Sequence, residues 1–158
     1  MGAFITWSDD WLLGIDTLDN QHKVLADCIN KLVAECKQAG TVTPESAEQR
    51  KARLAGLFNE LYTTAKRHFS LEEALMRHEG YPSYSAHARE HVMLIAELKA
   101  TFVNSLKEGC STLNHDILTA LKSWLIAHVS RSDRDFANFL LEKRQARPAE
   151  MESSHGVL

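Results

Sequence analysis

The sequence predicts an all-α protein, an up-down-up-down antiparallel four-helix bundle with an N-terminal arm. Apolar residues recur at helical spacing in four successive segments, and breaker residues separate these segments. The 158 residues suit one domain, and 7 Gly and 3 Pro are too few for a protein built of many β-turns. Four helices joined by short connections favour antiparallel neighbours.

The N-terminal half of the chain combines an apolar arm with two helices. The arm, residues 1–18, carries two tryptophans and several aliphatic residues, so we expect it to pack on the bundle. The first helix is predicted to run to about residue 38, because apolar residues recur at helical spacing before Gly40. Thr43 is typical of an N-cap and Pro44 of a first helical position, and the second helix then continues to about residue 78.

Two further helices and a polar tail complete the chain. Pro82 stops the second helix, and the third is predicted over about 84–108, where a glycine follows as a C-terminal signal. The fourth begins near 113 and extends to about 143. We therefore assign residues 1–144 to one bundle domain and residues 145–158 to a loose polar tail.

Composition narrows the partners and the location that we expect. The 18 Lys and Arg against 21 Asp and Glu give a net charge of −3 without a basic run, which argues against nucleic-acid binding. No apolar stretch approaches the length of a membrane span. Three cysteines without a Cys-x-x-Cys motif argue against disulfides or a structural zinc site, and the start of the chain does not resemble a signal peptide. We expect a cytoplasmic protein that is a monomer or a weak oligomer.

Eight histidines are the unusual feature of the composition. On projections at about 100° per residue, five of them and one glutamate share the apolar stripes that face the bundle interior. Because the start of one antiparallel helix lies beside the end of the previous helix, all six also fall in one layer at one end of the bundle. The six residues are His22, His68, Glu72, His87, His91 and His128.

The residues alone leave two interpretations of this layer open. An ionised carboxylate in an apolar interior is costly unless it is paired, and the stripes supply no Lys or Arg for Glu72. Five imidazoles could share a hydrogen-bond network with it. Alternatively, the layer is a metal site. The set exceeds the four ligands of a structural zinc, suffices for two metals bridged by carboxylates, and suits iron.

Asp133 is a further candidate ligand whose position the spacing leaves undecided. It follows His128 by five residues, so an ideal helix would turn it about 140° away from that histidine. It can join the layer only if the helix ends, tightens or forms a π-bulge there.

The order and spacing of these residues resemble the hemerythrin family from about residue 7 to residue 140. The matching motifs are Gly14-Ile15-Asp16, Leu18-Asp19-Asn20-Gln21-His22, His68-Phe69-Ser70-Leu71-Glu72-Glu73, Leu75-Met76, Tyr81-Pro82, His87-x-x-x-His91, Trp124-Leu125-Ile126-Ala127-His128 and Asp133. The resemblance implies a di-iron centre inside the bundle, and it includes Asp133 among the ligands.

The resemblance also implies a role for each ligand. One iron would have three histidine ligands and the other two, and two carboxylates would bridge the ions together with an oxo or hydroxo group. The three are His87, His91 and His128, the two are His22 and His68, and the bridges are Glu72 and Asp133. The iron with two histidines would be open and would bind dioxygen reversibly.

Apolar residues near the ligands are predicted to line an oxygen pocket and to exclude water and protons. These pocket residues are Leu25, Phe69, Met76, Trp124 and Leu125. The second carboxylate of the helix, Glu73, is predicted to be solvated. We expect a dioxygen carrier, store or buffer rather than an enzyme, because di-iron oxidases of the ferritin type use glutamates and repeated Glu-x-x-His motifs. A di-iron redox enzyme and an oxygen or redox sensor are the alternatives.

Overall fold

The described part of the chain is helical almost throughout. A computed structural model describes residues 4–38, 47–108 and 115–155. Its elements are a 3₁₀ turn at Asp9–Trp11, α1 Asp16–Gln38, α2 Ala47–Glu79, α3 Tyr84–Glu108, α4 His115–His128, a π-helical segment Val129–Asp133 and α5 Arg134–His155. The last three form one rod, so the predicted all-α four-helix fold is confirmed. Four residues with predicted roles at helix ends lie outside the described residues. They are Gly40, Thr43, Pro44 and Gly109.

The turn between α2 and α3 sets the two helices side by side. Gly80 adopts a left-handed conformation with φ +70°, which costs a glycine no strain. The Tyr81 amide donates to the Met76 carbonyl at 2.9 Å and the Gly80 amide to the Arg77 carbonyl at 3.3 Å, a Schellman-type helix end. Pro82 follows, as predicted for a stop. The last turns of α2 therefore lie level with the first turns of α3.

The N-terminal arm packs on the bundle, as expected. Asp19, buried in the first turn of α1, accepts hydrogen bonds from the Leu13 amide at 2.8 Å and the Gly14 amide at 3.2 Å. Further out, the Ile5 amide donates to Asn30 Oδ1 and Asn30 Nδ2 donates to the Ile5 carbonyl. These hydrogen bonds give the backbone amides and carbonyls of the arm the partners that they would otherwise need from water.

The fourth rod is longer than predicted. The expectation that it ends near residue 143 is wrong, because α5 continues to His155. The division into a bundle domain over residues 1–144 and a polar tail over residues 145–158 stays a prediction. Residues 134–155 contain no glycine and several Arg, Glu and Ala residues, which favour helix, although Pro148 within the segment does not.

The bundle core is apolar on both sides of one polar layer. Leu18 and Met76 are buried one turn beyond the layer toward one end, and Leu25 and Ala65 are buried one turn beyond it toward the other. Such burial of side chains is the main favourable term for the fold. Among the described helices, none combines the length and the apolar content that a membrane crossing requires.

Candidate metal centre

Every rod of the bundle contributes side chains to the polar layer. His22 comes from α1, one i, i+4 pair comes from α2, another from α3, and the fourth rod supplies the last two residues. All seven predicted ligands are buried, each at most 5% exposed. They are His22, His68, Glu72, His87, His91, His128 and Asp133. The structure thus brings together every residue that we predict to bind metal.

The π-helical segment explains how Asp133 reaches the layer. A π-turn accommodates one residue more than an α-turn, so residues five apart share a face. The segment Val129–Asp133 follows His128 directly, and Asp133 Oδ1 lies 3.0 Å from His128 Nε2. Of the three possibilities that the spacing allows, the bulge is the one found.

The two carboxylates each divide their oxygens between two groups of histidines. Glu72 Oε2 lies 3.1 Å from His68 Nε2, while Glu72 Oε1 lies 2.7 Å from His87 Nε2. Asp133 repeats the pattern, with Oδ2 2.9 Å from His22 Nε2 and Oδ1 3.0 Å from His87 Nε2. One oxygen of each carboxylate therefore faces the His22 and His68 pair, and the other faces the histidines of α3 and α4.

The ligand atoms accordingly form two groups that share both carboxylates. In each group, all the ligand atoms lie within 4.8 Å of one another. The first group is Glu72, His87, His91, His128 and Asp133, and the second is His22, His68, Glu72 and Asp133. Both groups consist of imidazole nitrogens and carboxylate oxygens, the donors that suit iron.

The layer also contains polar atoms that the protein leaves without hydrogen bonds. Among the described residues, both oxygens of Glu72 and of Asp133 are buried with no hydrogen-bond partner of acceptable geometry, and so is Nε2 of His22, His68 and His87. Buried polar groups in proteins are almost always satisfied, and each exception requires a cause. Imidazole nitrogens and carboxylate oxygens that crowd together in this way without well-formed hydrogen bonds fit a bound cation.

The charges within the layer shift the pKa values of its histidines. Burial lowers the pKa of His87, but the Asp133 and Glu72 carboxylates outweigh burial and raise it to about 9. Burial and the nearby charge of Asp133 oppose each other in the same way at His128, whose pKa rises to about 10. The same histidines hold the pKa of Asp133 well below its usual range, although burial alone would raise it. Without metal, protons on these rings neutralise the carboxylates.

His91 behaves differently from its neighbours. Burial and the charges on His128 and His87 lower the pKa of His91 to about 3, so this ring is neutral at pH 7. His91 Nε2 lies 3.1 Å from His128 Nε2. A neutral ring is the form in which histidine binds a metal.

We did not predict the residues that hydrogen-bond to the outer nitrogens of the ligand histidines, the Nδ1 atoms that face away from the site. His68 Nδ1 donates to Gln21 Oε1, and His128 Nδ1 donates to Glu90 Oε1 at 2.8 Å. Since these oxygens accept a hydrogen bond from Nδ1–H, the neutral form of each ring has its lone pair on Nε2, which faces the site. Glu73, predicted to be solvated, is only 21% exposed, and its Oε2 lies 3.5 Å from His91 Nδ1.

The predicted pocket residues all lie in or beside the core. Leu25, Phe69, Met76 and Leu125 are buried and Trp124 is half-buried. Phe69 stacks on the His91 ring, with centroids 4.0 Å apart and planes within 8°, and it meets the His128 ring edge-on at 5.5 Å. The arm adds a residue that we did not predict, Trp7, whose ring lies 6.0 Å from that of His22.

Fold and site together define the class of the protein as a four-helix bundle with an internal His and carboxylate metal centre. A family model described as the hemerythrin HHE cation-binding domain matches residues 13–140. The chain therefore belongs to the hemerythrin family. Hemerythrin domains are non-haem iron domains that bind or sense oxygen.

Comparisons with individual proteins are consistent with this family. The chain is 29% identical over 140 residues to a bacteriohemerythrin of Stenotrophomonas maltophilia, covering 86% of this chain and 81% of that protein. It is 25% identical over 130 residues to a bacteriohemerythrin of Clostridium acetobutylicum, covering 82% and 96%. A crystal structure of wild-type hemerythrin matches the fold with a TM-score of 0.68 at 23% identity, covering 86% of this chain and 97% of that one.

Proposed function

We propose that this protein binds dioxygen reversibly at two non-haem iron ions and serves as an oxygen carrier, store or buffer. The observation that carries the proposal is the division of each carboxylate between two histidine groups. A site for one ion has no need of a carboxylate with one oxygen in each of two groups. Paired metals bridged by carboxylates require such an arrangement.

The numbers of histidines give the two ions different surroundings. His87, His91 and His128 would hold one iron, His22 and His68 the other, and both carboxylates, Glu72 and Asp133, would serve both ions. The ion with two histidines has one protein ligand fewer, which leaves it open to a small ligand. When bound, the iron pair supplies the electrons for reversible dioxygen binding.

The protein around the site supports binding rather than turnover. Leu25, Met76 and Leu125 are buried, and Phe69 covers two of the ligand rings, so apolar side chains lie on both sides of the polar layer. We propose that these residues and Trp124 keep water and protons away from the bound ligand. An apolar shell of this kind controls solvent access to a metal.

Iron content and absorption spectra test the proposal directly. Purified full-length protein, reconstituted with Fe²⁺ without oxygen, should hold two irons per chain, gain a new absorption band in air and lose it on deoxygenation. Repeated cycles should return the same spectrum. A chain that holds no iron after reconstitution overturns the proposal. Sustained oxidation of an added reductant would show a redox enzyme, and an oxygen-dependent protein partner would show a sensor.

We further propose a cytoplasmic location. Cys28 is a buried free thiol, as expected of a protein kept in a reducing compartment. Fractionation of the source cells, followed by detection of the protein, tests this location.

A further inference from the structure

The outer nitrogens of the ligand histidines have different partners in the two halves of the site. In the three-histidine half, Glu90 accepts a hydrogen bond from His128 Nδ1, and Glu73 lies 3.5 Å from His91 Nδ1, which has no hydrogen-bond partner among the described residues. In the two-histidine half, His68 Nδ1 meets the neutral amide of Gln21, and His22 Nδ1 is buried without a hydrogen-bond partner among the described residues. The halves therefore differ in charge as well as in the number of ligands.

Glu90 links α3 to both ends of the π-helical segment. Its Oε1 accepts from His128, the residue before the segment, and its Oε2 accepts from Ser132 Oγ at 2.6 Å, the residue before Asp133. The side chain is 40% exposed, so it stands at the edge of the site and touches no other predicted ligand at hydrogen-bonding distance. One carboxylate thus fixes the ring of one ligand and the backbone that carries another.

We propose that Glu90 is a positioning residue that makes the His87, His91 and His128 position the tighter of the two iron positions, the first to fill and the last to empty. The inference rests on the proposed function, because it requires two irons. A carboxylate on Nδ1 holds the ring in place and makes Nε2 a stronger donor to a cation, whereas a neutral amide does less. Its negative charge also attracts the cation through a partly buried medium.

Release of iron to a chelator measures the two positions separately. Fully loaded protein is mixed, without oxygen, with an excess of a chelator that becomes coloured on binding Fe²⁺. Two phases of equal amplitude are expected from the unchanged chain. Glu90→Gln should accelerate the slow phase, iron release from the three-histidine position, about 10–100-fold. The rate of the fast phase, release from the two-histidine position, should not change. Gln21→Ala, which removes the partner of His68, should accelerate only the fast phase.

Matched variants separate positioning from a general loss of stability. Glu97→Gln removes an exposed carboxylate two turns further along α3 and should change neither phase. Ser132→Ala removes only one contact of Glu90 and should accelerate the slow phase less than Glu90→Gln does. It also provides the test if Glu90→Gln does not fold, as judged by helical circular dichroism of the metal-free protein.

The possible outcomes separate this inference from the proposed function. Two irons released from the unchanged chain in a single phase overturn the inference, and so does a Glu90→Gln protein whose slow phase is unchanged or whose two phases accelerate equally. In each of those cases the proposed function stands. An unchanged chain that takes up no iron overturns both.

Discussion

Glu72 faces both histidine groups, whereas His22 faces only one. The oxygens of Glu72 lie 3.1 Å from His68 Nε2 and 2.7 Å from His87 Nε2, whereas His22, whose Nε2 lies 2.9 Å from Asp133 Oδ2, belongs to the two-histidine group only. We therefore expect Glu72→Ala to lose both irons and His22→Ala to keep about one, with dioxygen binding abolished in both. Iron assays per chain measure the difference, and Glu97→Gln is the control. Two irons in Glu72→Ala would contradict the bridging role.

Leu125 tests whether the apolar wall protects bound dioxygen. It is 2% exposed and one turn before His128, so truncation to alanine opens space beside the site. Leu125→Ala should cost about 2–5 kcal/mol of unfolding free energy and accelerate autoxidation. Leu121→Ala, one turn further away and also buried, should lower stability comparably without that acceleration. Denaturant unfolding and decay of the oxygenated spectrum provide the two measurements. Equal autoxidation rates in the two variants would show that Leu125 has no special role in protecting bound dioxygen.

Some residues of the site could be predicted from the sequence because of their type and spacing. A histidine on an apolar helical stripe, such as His87 or His91, stands out among its apolar neighbours, and the stripe predicts that its side chain faces the bundle interior. Glu90 and Gln21 carry no such signal. They lie off the apolar stripes, and their role depends on how far a side chain reaches across to a neighbouring helix, which one helical pattern does not contain.

Asp19 is the hydrogen-bond acceptor that fixes the junction between the arm and α1. The carboxylate of Asp19 accepts two backbone amides, from Leu13 and Gly14, and is itself buried. Asp19→Ala leaves both amides without an acceptor, so we expect a loss of about 1–3 kcal/mol in unfolding free energy. Asp16→Ala, an exposed carboxylate in the same turn, should cost clearly less. Equal losses, measured by urea unfolding, would show that the arm does not depend on Asp19.

The sequence pattern predicts the helix around the π-helical segment but not the π-bulge itself. Periodicity predicts that a helix passes through residues 129–133, but it does not determine the local pattern of backbone hydrogen bonds. A bulge there is stabilised by the interactions that Asp133 makes with residues of other helices once it lies in the site, and these are tertiary interactions. The predicted end of the fourth rod fell short because a polar segment can extend a helix that is already nucleated, here even across Pro148.

At the scale of the whole molecule, the bundle encloses two carboxylates and five imidazoles in one layer, and their charges must balance. With metal, the cations provide the balance. Without metal, protons on His87 and His128 do so, which is why the pKa values of these rings rise to about 9 and about 10 while that of Asp133 falls. The stability of the metal-free fold is therefore linked to pH through the same residues that bind the metal.

The direction of this linkage gives a test on the entire chain. A group whose folded pKa is raised stabilises the fold fully below its unfolded value, about 6.5 for histidine, and this contribution disappears as the pH rises through the folded value. For His87 and His128 the window is therefore from about pH 6.5 to about pH 10. We expect metal-free protein to lose on the order of a few kcal/mol of unfolding free energy between pH 7 and pH 10. Iron-loaded protein, kept without oxygen, should lose much less because cations replace the protons. Urea unfolding at both pH values measures the difference. A metal-free protein as stable at pH 10 as at pH 7 would show that these protons do not balance the buried carboxylates.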